Sequence, residues 1–231
     1  MKKISYQRHR FSPHIIQHAV WLYARFTLSY RDIEDLLAER GLNISYETVQ
    51  RWFLKFGVPI AQNLTFSRPT PSDIWHRDEM VIVIRGKRHF LWRAVDSEGE
   101  ALDFLVQPSR NAKAALKLMR TLLKKQGFAP TQIVTDKLKS YHKAFQTLHL
   151  NAEHIDNKRS NNRAENSHLP VRRRERKMQK FKSPGSAQRF LNIHSATYNN
   201  FYLQRHLINR SLFKQSRAEA FDVWATASKT A

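Results

Sequence analysis

The chain has no cysteine in 231 residues. That excludes disulfides, thiolate chemistry and every zinc site that needs a sulfur ligand. Acidic residues are also scarce: nineteen Asp and Glu face forty Lys and Arg, a net charge of +21. A surface this basic repels itself, so composition points toward a polyanionic partner. Glycine is limited to six residues, and there is no low-complexity tract or internal repeat. No apolar run approaches the ~20 residues of a membrane helix. The start MKKISYQRHR is basic, but no apolar stretch of signal-peptide type follows it. The expectation is a cytoplasmic, bacterial protein that is associated with the nucleoid when bound and does not engage a membrane.

What is present is organised in two parts. Residues 1 to about 12 read as a flexible basic arm. Ile15, Ile16, Ala19, Trp21 and Leu22 recur at helical spacing. Ser29 with Asp32 is a capping box that starts a second helix, which carries Ile33, Leu36 and Leu37 and stops at Gly41. Ser45 opens a third, with Val49, Trp52, Phe53 and Phe56 on its apolar side. Two short helices around a glycine turn predict a helix-turn-helix. Its second helix would present Tyr46, Gln50 and Arg51 to the major groove, where Gln and Arg read adenine and guanine edges. Gly57, Pro59, Pro69 and Pro71 mark Gly57–Ser72 as a linker, so a small all-α domain is expected over 1–70.

Beyond residue 70 the period changes to that of strands. Ile74–Ile84, Arg88–Val95 and Ala101–Val106 are expected strands, joined by turns at Arg85-Gly86-Lys87 and Asp96–Gly99. A helix over Asn111–Lys125, a strand over Gln132–Thr135, a helix over Tyr141–Leu148 and a strand over Ala152–Ile155 follow. This order predicts an RNase H-like α/β domain over 71–210, a mixed five-stranded sheet with flanking helices. Ser186–Tyr202 reads as a last helix. Residues 211–231 form a weakly patterned tail, assigned to packing on a partner subunit in a homodimer or higher homo-oligomer.

In such a sheet the first and fourth strands are neighbours. Asp78 lies in the first, Asp136 ends the fourth, and Glu165 opens the helix that follows. Two bare carboxylates ~4 Å apart repel by about 4 kcal/mol at an effective dielectric of ~20. A hard divalent cation with oxygen ligands removes that repulsion. Two such ions suit phosphoryl transfer, one at the attacking oxygen and one at the leaving oxygen. Glu79, Asp96, Asp103 and Glu153 compete for the same roles. Glu79 faces away from Asp78 by strand alternation, and Asp96 fits a turn. A zinc or di-iron site built from His76, Asp78, Glu165 and His168 is the alternative metal chemistry. From Lys158 to Lys182, ten Lys or Arg stand against two acids. Beside the carboxylates, this run predicts contact with a DNA backbone through Arg172, Arg173, Arg174 and Arg176, and Lys137, next to Asp136, is a separate candidate for a phosphate.

A family resemblance rests on an ordered set of motifs. SYRDIEDLLAERG and TVQRW are followed by WHRDE, RAVDSEG, RNAKAA, TDK with a nearby Tyr, and NNRAENSH with RRRER. Together they resemble the DDE transposases of insertion-sequence family six, from about residue 12 to about residue 200. The resemblance implies that Asp78, Asp136 and Glu165 are the catalytic, metal-binding triad. It implies Mg²⁺ or Mn²⁺, which the chemistry above sets at two ions, and double-stranded DNA partners: terminal inverted repeats and a target. The implied reaction is hydrolysis at the element ends to free 3′-hydroxyls, then strand transfer of the cointegrate type. Arg172 matches the family's cation two turns after the Glu. Pro170 intervenes, and a proline kink would hand that role to Arg173 or Arg176. The other readings are a non-catalytic helix-turn-helix regulator and an RNase H-like nuclease or resolvase.

Overall fold

The computed structural model describes residues 1–135, 140–155, 162–203 and 207–229, with backbone alone for 140–143 and 162–167. These residues divide into two compact units: Met1–Arg68 with Asn192–Ala231, and Pro69–Leu191. The C-terminal segment therefore belongs with the N-terminal helices. This corrects the assignment of 192–210 to the catalytic domain and of 211–231 to a tail apart from both domains.

The first unit is helical. It contains α1 (Pro13–Arg25), α2 (Tyr30–Ala38), α3 (Tyr46–Phe66), the second half of α7 (Pro184–Phe201) and α8 (Arg210–Ser228). Ser29 and Asp32 make the reciprocal capping bonds that start α2. Gly41 takes a left-handed conformation, φ 75°, where the chain turns toward α3. The supposed arm at the N-terminus is packed instead. Ile4 and Tyr6 are buried, and the Tyr6 hydroxyl donates to the Ser228 carbonyl at 2.9 Å. The tail is α8, with Trp224 and Ala227 in the core.

The expected linker is also overturned, because α3 runs through Gly57 and Pro59 to Phe66. Gly57 is there for closeness rather than for a turn. A Cβ at that position would lie 2.9 Å from Ile193 Cδ1 on α7. Pro59 withholds one helix hydrogen-bond donor, and burial of Ile60, Ala61 and Leu64 just beyond it offsets the loss.

The second unit is one sheet with helices on both faces. Its strands are β1 (Ile74–Ile84), β2 (Lys87–Asp96), β3 (Ala101–Gln107), β4 (Gln132–Thr135) and β5 (Glu153–Ile155), in spatial order β3-β2-β1-β4-β5. β1, β2 and β3 are antiparallel neighbours, and β4 and β5 run parallel to β1. This is the RNase H-like arrangement. Arg85 and Gly86, both at positive φ, make the two-residue turn between β1 and β2. One face packs Trp75, Trp92, Ala94 and Ile133 against Leu118, Met119 and Leu122 of α4 (Ala112–Gln126) and against Phe145 of α5 (Ser140–Thr147). α6 (Asn162–Lys177) lies against β1 and β2. Among the described residues no helix is long and apolar enough to cross a membrane.

Candidate active site

β1 is buried at both ends and paired on both sides, so a polar side chain in it needs partners. Asp78 has two. Its Oδ1 accepts from the backbone N–H of Glu79 at 2.8 Å, and its Oδ2 lies 3.0 Å from Nε2 of His168 on α6. The carboxylate keeps 17% of its surface open to solvent, while the imidazole keeps 7%. Directly across the ladder from Asp78 is Arg93 of β2. Arg93 is buried, and its guanidinium carbon lies 4.8 Å from the centroid of the Phe104 ring. His76, two residues before Asp78 on the same strand face, is buried as well.

The competing acids have other work. Glu79 is on the opposite face, buried and ion-paired with Arg110. Asp96 accepts from the N–H groups of Glu98 and Glu100 at 3.0 and 2.9 Å, which closes the turn after β2. Asp103 pairs with Lys125 of α4 at 2.6 Å. Burial pushes its carboxyl above the ordinary value, and Lys125 opposes that rise. Glu153 is exposed and accepts from Gln132 at 2.8 Å.

Asp136 and Lys137 lie outside the described residues, directly after Thr135. Thr135 pairs in register with Arg77, the residue before Asp78. Glu165 is in α6, three positions before His168, with its side chain outside the described set. Among the described residues no three His, Asp or Glu side chains converge as a metal site. Asp78 itself offers the hard, partly exposed oxygen donor that Mg²⁺ or Mn²⁺ prefers, with lone pairs left after its two hydrogen bonds.

α6 continues across Pro170 to Lys177, where the sequence suggested a kink. Its cations divide by exposure. Arg172, Arg173 and Arg176 are exposed. Arg174 is buried, with its guanidinium carbon 5.2 Å from the Phe190 ring centroid. Its inclusion among the DNA-contacting residues is therefore corrected: His168, Val171 and Arg174 recur at a spacing of three and are all buried, so they share the inward face of the helix. In the first unit, Gln50 and Arg51 are exposed near the start of α3, with Arg51 donating to Thr48 Oγ1 at 3.0 Å. Tyr46 is half-buried beneath the guanidinium of Arg31, 5.1 Å from its ring centroid.

Arg93 and the His168 contact are the site features that sequence reasoning missed. Arg93 was within reach: counting back from the turn that pairs Ile84 with Lys87 sets it opposite Asp78. The His168 contact joins elements ninety residues apart and carries no local signal.

Residues 72–202, more than half of the chain, match the family described as a DDE domain. The transposase for the insertion sequence-like element IS431mec of Staphylococcus aureus (strain Mu50) is 32% identical over 182 residues, which covers 76% of this chain and 81% of that protein. The transposase for insertion sequence element IS257 in transposon Tn4003 of Staphylococcus aureus is 31% identical over the same coverage. Among solved structures, the HTLV-2 integrase catalytic core domain in complex with magnesium (trimeric form) aligns with 62% of this chain and 94% of its own, at 13% identity and a TM-score of 0.41. The simian T-cell lymphotropic virus intasome aligns with 59% of this chain and 51% of that one, at 14% identity and a TM-score of 0.43. With its DDE-domain match, its ordered motifs and the two staphylococcal transposases, the chain belongs to the DDE transposases of insertion-sequence family six.

Proposed function

We propose that this transposase binds the terminal inverted repeats of its own insertion sequence, cuts at the element ends and joins the freed 3′-hydroxyls to target DNA, giving cointegrates. Asp78, Asp136 and Glu165 are the catalytic carboxylates and the ligands of two divalent ions, Mg²⁺ or Mn²⁺. The observation that carries this reading is the bond between His168 and Asp78. It brings α6, the helix that contains Glu165, against the strand that contains Asp78. A spacing of three residues, as between Glu165 and His168, keeps two positions on one face of an α-helix. The register of Thr135 with Arg77 supports Asp136 as the third member, since each precedes a proposed ligand by one residue.

Bound ions would supply charge neutralisation and activation of the attacking oxygen at the scissile phosphate. The chain's own residues do the rest. The carboxylates hold position, and exposed Arg172, Arg173 and Arg176, with Lys137, take DNA phosphates near them. Gln50, Arg51 and Tyr46 at the start of α3 read the end sequence. We assign the working assembly to a homodimer or larger homo-oligomer, acting in the cytoplasm, where the DNA is.

The test is strand transfer by purified protein on a duplex carrying the element's ends, with Mg²⁺. Wild type is expected to give joined product and Asp78→Asn none, while both bind the ends. Full activity of Asp78→Asn would sink the triad. End binding without cleavage by wild type under either metal would favour a non-catalytic regulator. Cleavage that ignores the end sequence would favour a nuclease or resolvase.

A further inference from the structure

His168 is buried in the catalytic unit, and nothing in the reaction proposed above gives it a task. Its Nε2 lies 3.0 Å from Asp78 Oδ2, and its Nδ1 has no hydrogen-bond partner among the described residues. The tautomer follows from these two facts. A proton on Nδ1 would bury an unpaired donor and set two lone pairs against each other at the Asp78 contact. A proton on Nε2 avoids both, so the imidazole donates to the carboxylate.

The consequence is geometric. A carboxylate rotates with a broad, two-fold preference about its last torsion. Here one oxygen is held by the Glu79 N–H and the other by His168, from opposite ends of the group. Roughly four lone-pair sites are available on an ionised carboxylate, so acceptor capacity remains on both oxygens for a cation. The same bond ties α6 to β1, which sets the spacing between the strand that carries Asp78 and the helix that carries Glu165.

We propose that His168 is a positioning residue: by donating from Nε2 to Asp78, it fixes the plane of that carboxylate, and the separation of strand and helix, for binding of a divalent cation. This rests on the reading of Asp78 as a metal ligand. Groups that hold a ligating side chain typically change metal affinity by ~10–100-fold when removed.

The experiment is titration of the full chain with Mn²⁺, reading free Mn²⁺ by its paramagnetic resonance, for wild type, Asp78→Ala, His168→Ala, His168→Gln and His168→Asn. A glutamine amide nitrogen reaches about as far as imidazole Nε2, whereas an asparagine amide reaches only as far as Nδ1. The expected order is wild type and His168→Gln within a few-fold, then His168→Asn and His168→Ala weaker by ~10–100-fold, with Asp78→Ala lacking the site. The contrast of Gln with Asn compares two polar replacements, so it reads positioning even where alanine loosens the fold. Equal Mn²⁺ affinity in wild type, His168→Asn and His168→Ala, with Asp78→Ala deficient, would overturn the role of His168 and leave the triad standing. Undiminished Mn²⁺ binding by Asp78→Ala would remove the metal reading, and this proposal with it.

Discussion

The two units bury different things. Among its described residues the first unit buries four polar side chains, Asn63, His194, Thr197 and Ser228, and none that is permanently charged. Those four have partners within the unit: Asn63 donates to the carbonyls of Lys2 and Ala227 at 3.0 and 2.8 Å, His194 Nδ1 lies 3.3 Å from the Ala24 carbonyl oxygen, and Thr197 and Ser228 each donate to a carbonyl one helical turn back. The second unit buries Arg77, Arg93, Arg174, Asp96 and Asp103, with His76 and His168. Removing a charge from water costs several kcal/mol before its partners repay any of it. A core chosen for stability alone would resemble the first. The second carries that cost in the unit that holds Asp78. The two units thus divide: among the described residues the first keeps its charged side chains at the surface, and the second also takes charges inside, Arg93 among them directly across the ladder from Asp78.

The hardest test of this division is to remove a charge at the proposed site. Asp78→Asn and Glu165→Gln preserve shape and delete an anionic oxygen ligand. Each is expected to lower strand transfer by ~10²–10³-fold or more, the scale on which loss of a charge-stabilising group acts. Affinity for end DNA, measured without metal by gel shift, is expected to stay within a few-fold of wild type. A matched loss of end binding would mean that the two units do not divide the work in this way.

The converse test acts on the outside charges. Arg51→Ala and Gln50→Ala are each expected to weaken end binding by ~1–3 kcal/mol and to relax sequence preference, read by competition between end and scrambled duplexes. Arg172→Ala is expected to weaken all duplexes alike and to reduce the salt slope of binding by about one. Arg174→Met is the internal control. The residue is buried over Phe190, so substitution is expected to lower the melting temperature and leave the salt slope unchanged.

The same contrast explains what the sequence disclosed. Strand boundaries in the second unit were legible because alternation, two turns and a strong helix cap fall where periodicity changes. Asp78 and Glu79 are adjacent acids in one strand, and strand alternation with the family resemblance distinguishes them. The end of α3 was misread because Gly57 and Pro59 look like a break. Burial of Ile60, Ala61 and Leu64 just beyond offsets the break, and the glycine answers to the closeness of Ile193, more than a hundred residues away. The N-terminal segment and the tail looked unpatterned for a related reason: each buries only a few side chains, such as Ile4, Tyr6 and Trp224, against distant partners. Arg172 and Arg174 are neighbours in one basic run, and composition cannot tell which faces the core. The contact of His168 with Asp78 needs the register of a sheet and the phase of a helix together.

A smaller effect is expected at the Asp103–Lys125 pair, on the α4 side of the sheet. Lys125→Met leaves the Asp103 carboxylate buried without its cation. The expected cost is ~1–3 kcal/mol near neutral pH, from chemical denaturation. The pH dependence has a definite sign. Burial already raises this carboxyl in the folded chain above its ordinary 3.8, and Lys125 is the main force holding it down. In the variant the rise is larger. A raised acid favours folding at low pH and loses that contribution as pH climbs through the folded value. The gap between variant and wild type should therefore shrink toward acid and widen toward neutrality. A gap independent of pH would mean that Lys125 acts through its alkyl chain.

The smallest effect is expected at Gly57, in the unit whose core excludes charge. Alanine there gains helix propensity of ~1 kcal/mol and brings a methyl to 2.9 Å from Ile193 Cδ1. That atom is the free end of a flexible side chain, so rotation relieves the clash, and the net change in unfolding free energy should be near zero. A larger side chain has no such relief. Gly57→Leu is expected to lose ~1–3 kcal/mol, the usual penalty of overpacking, and Ile193→Ala in the same chain should recover part of it by vacating the space. If Gly57→Ala costs as much as Gly57→Leu, the backbone at 57, rather than its closeness to α7, is what glycine serves.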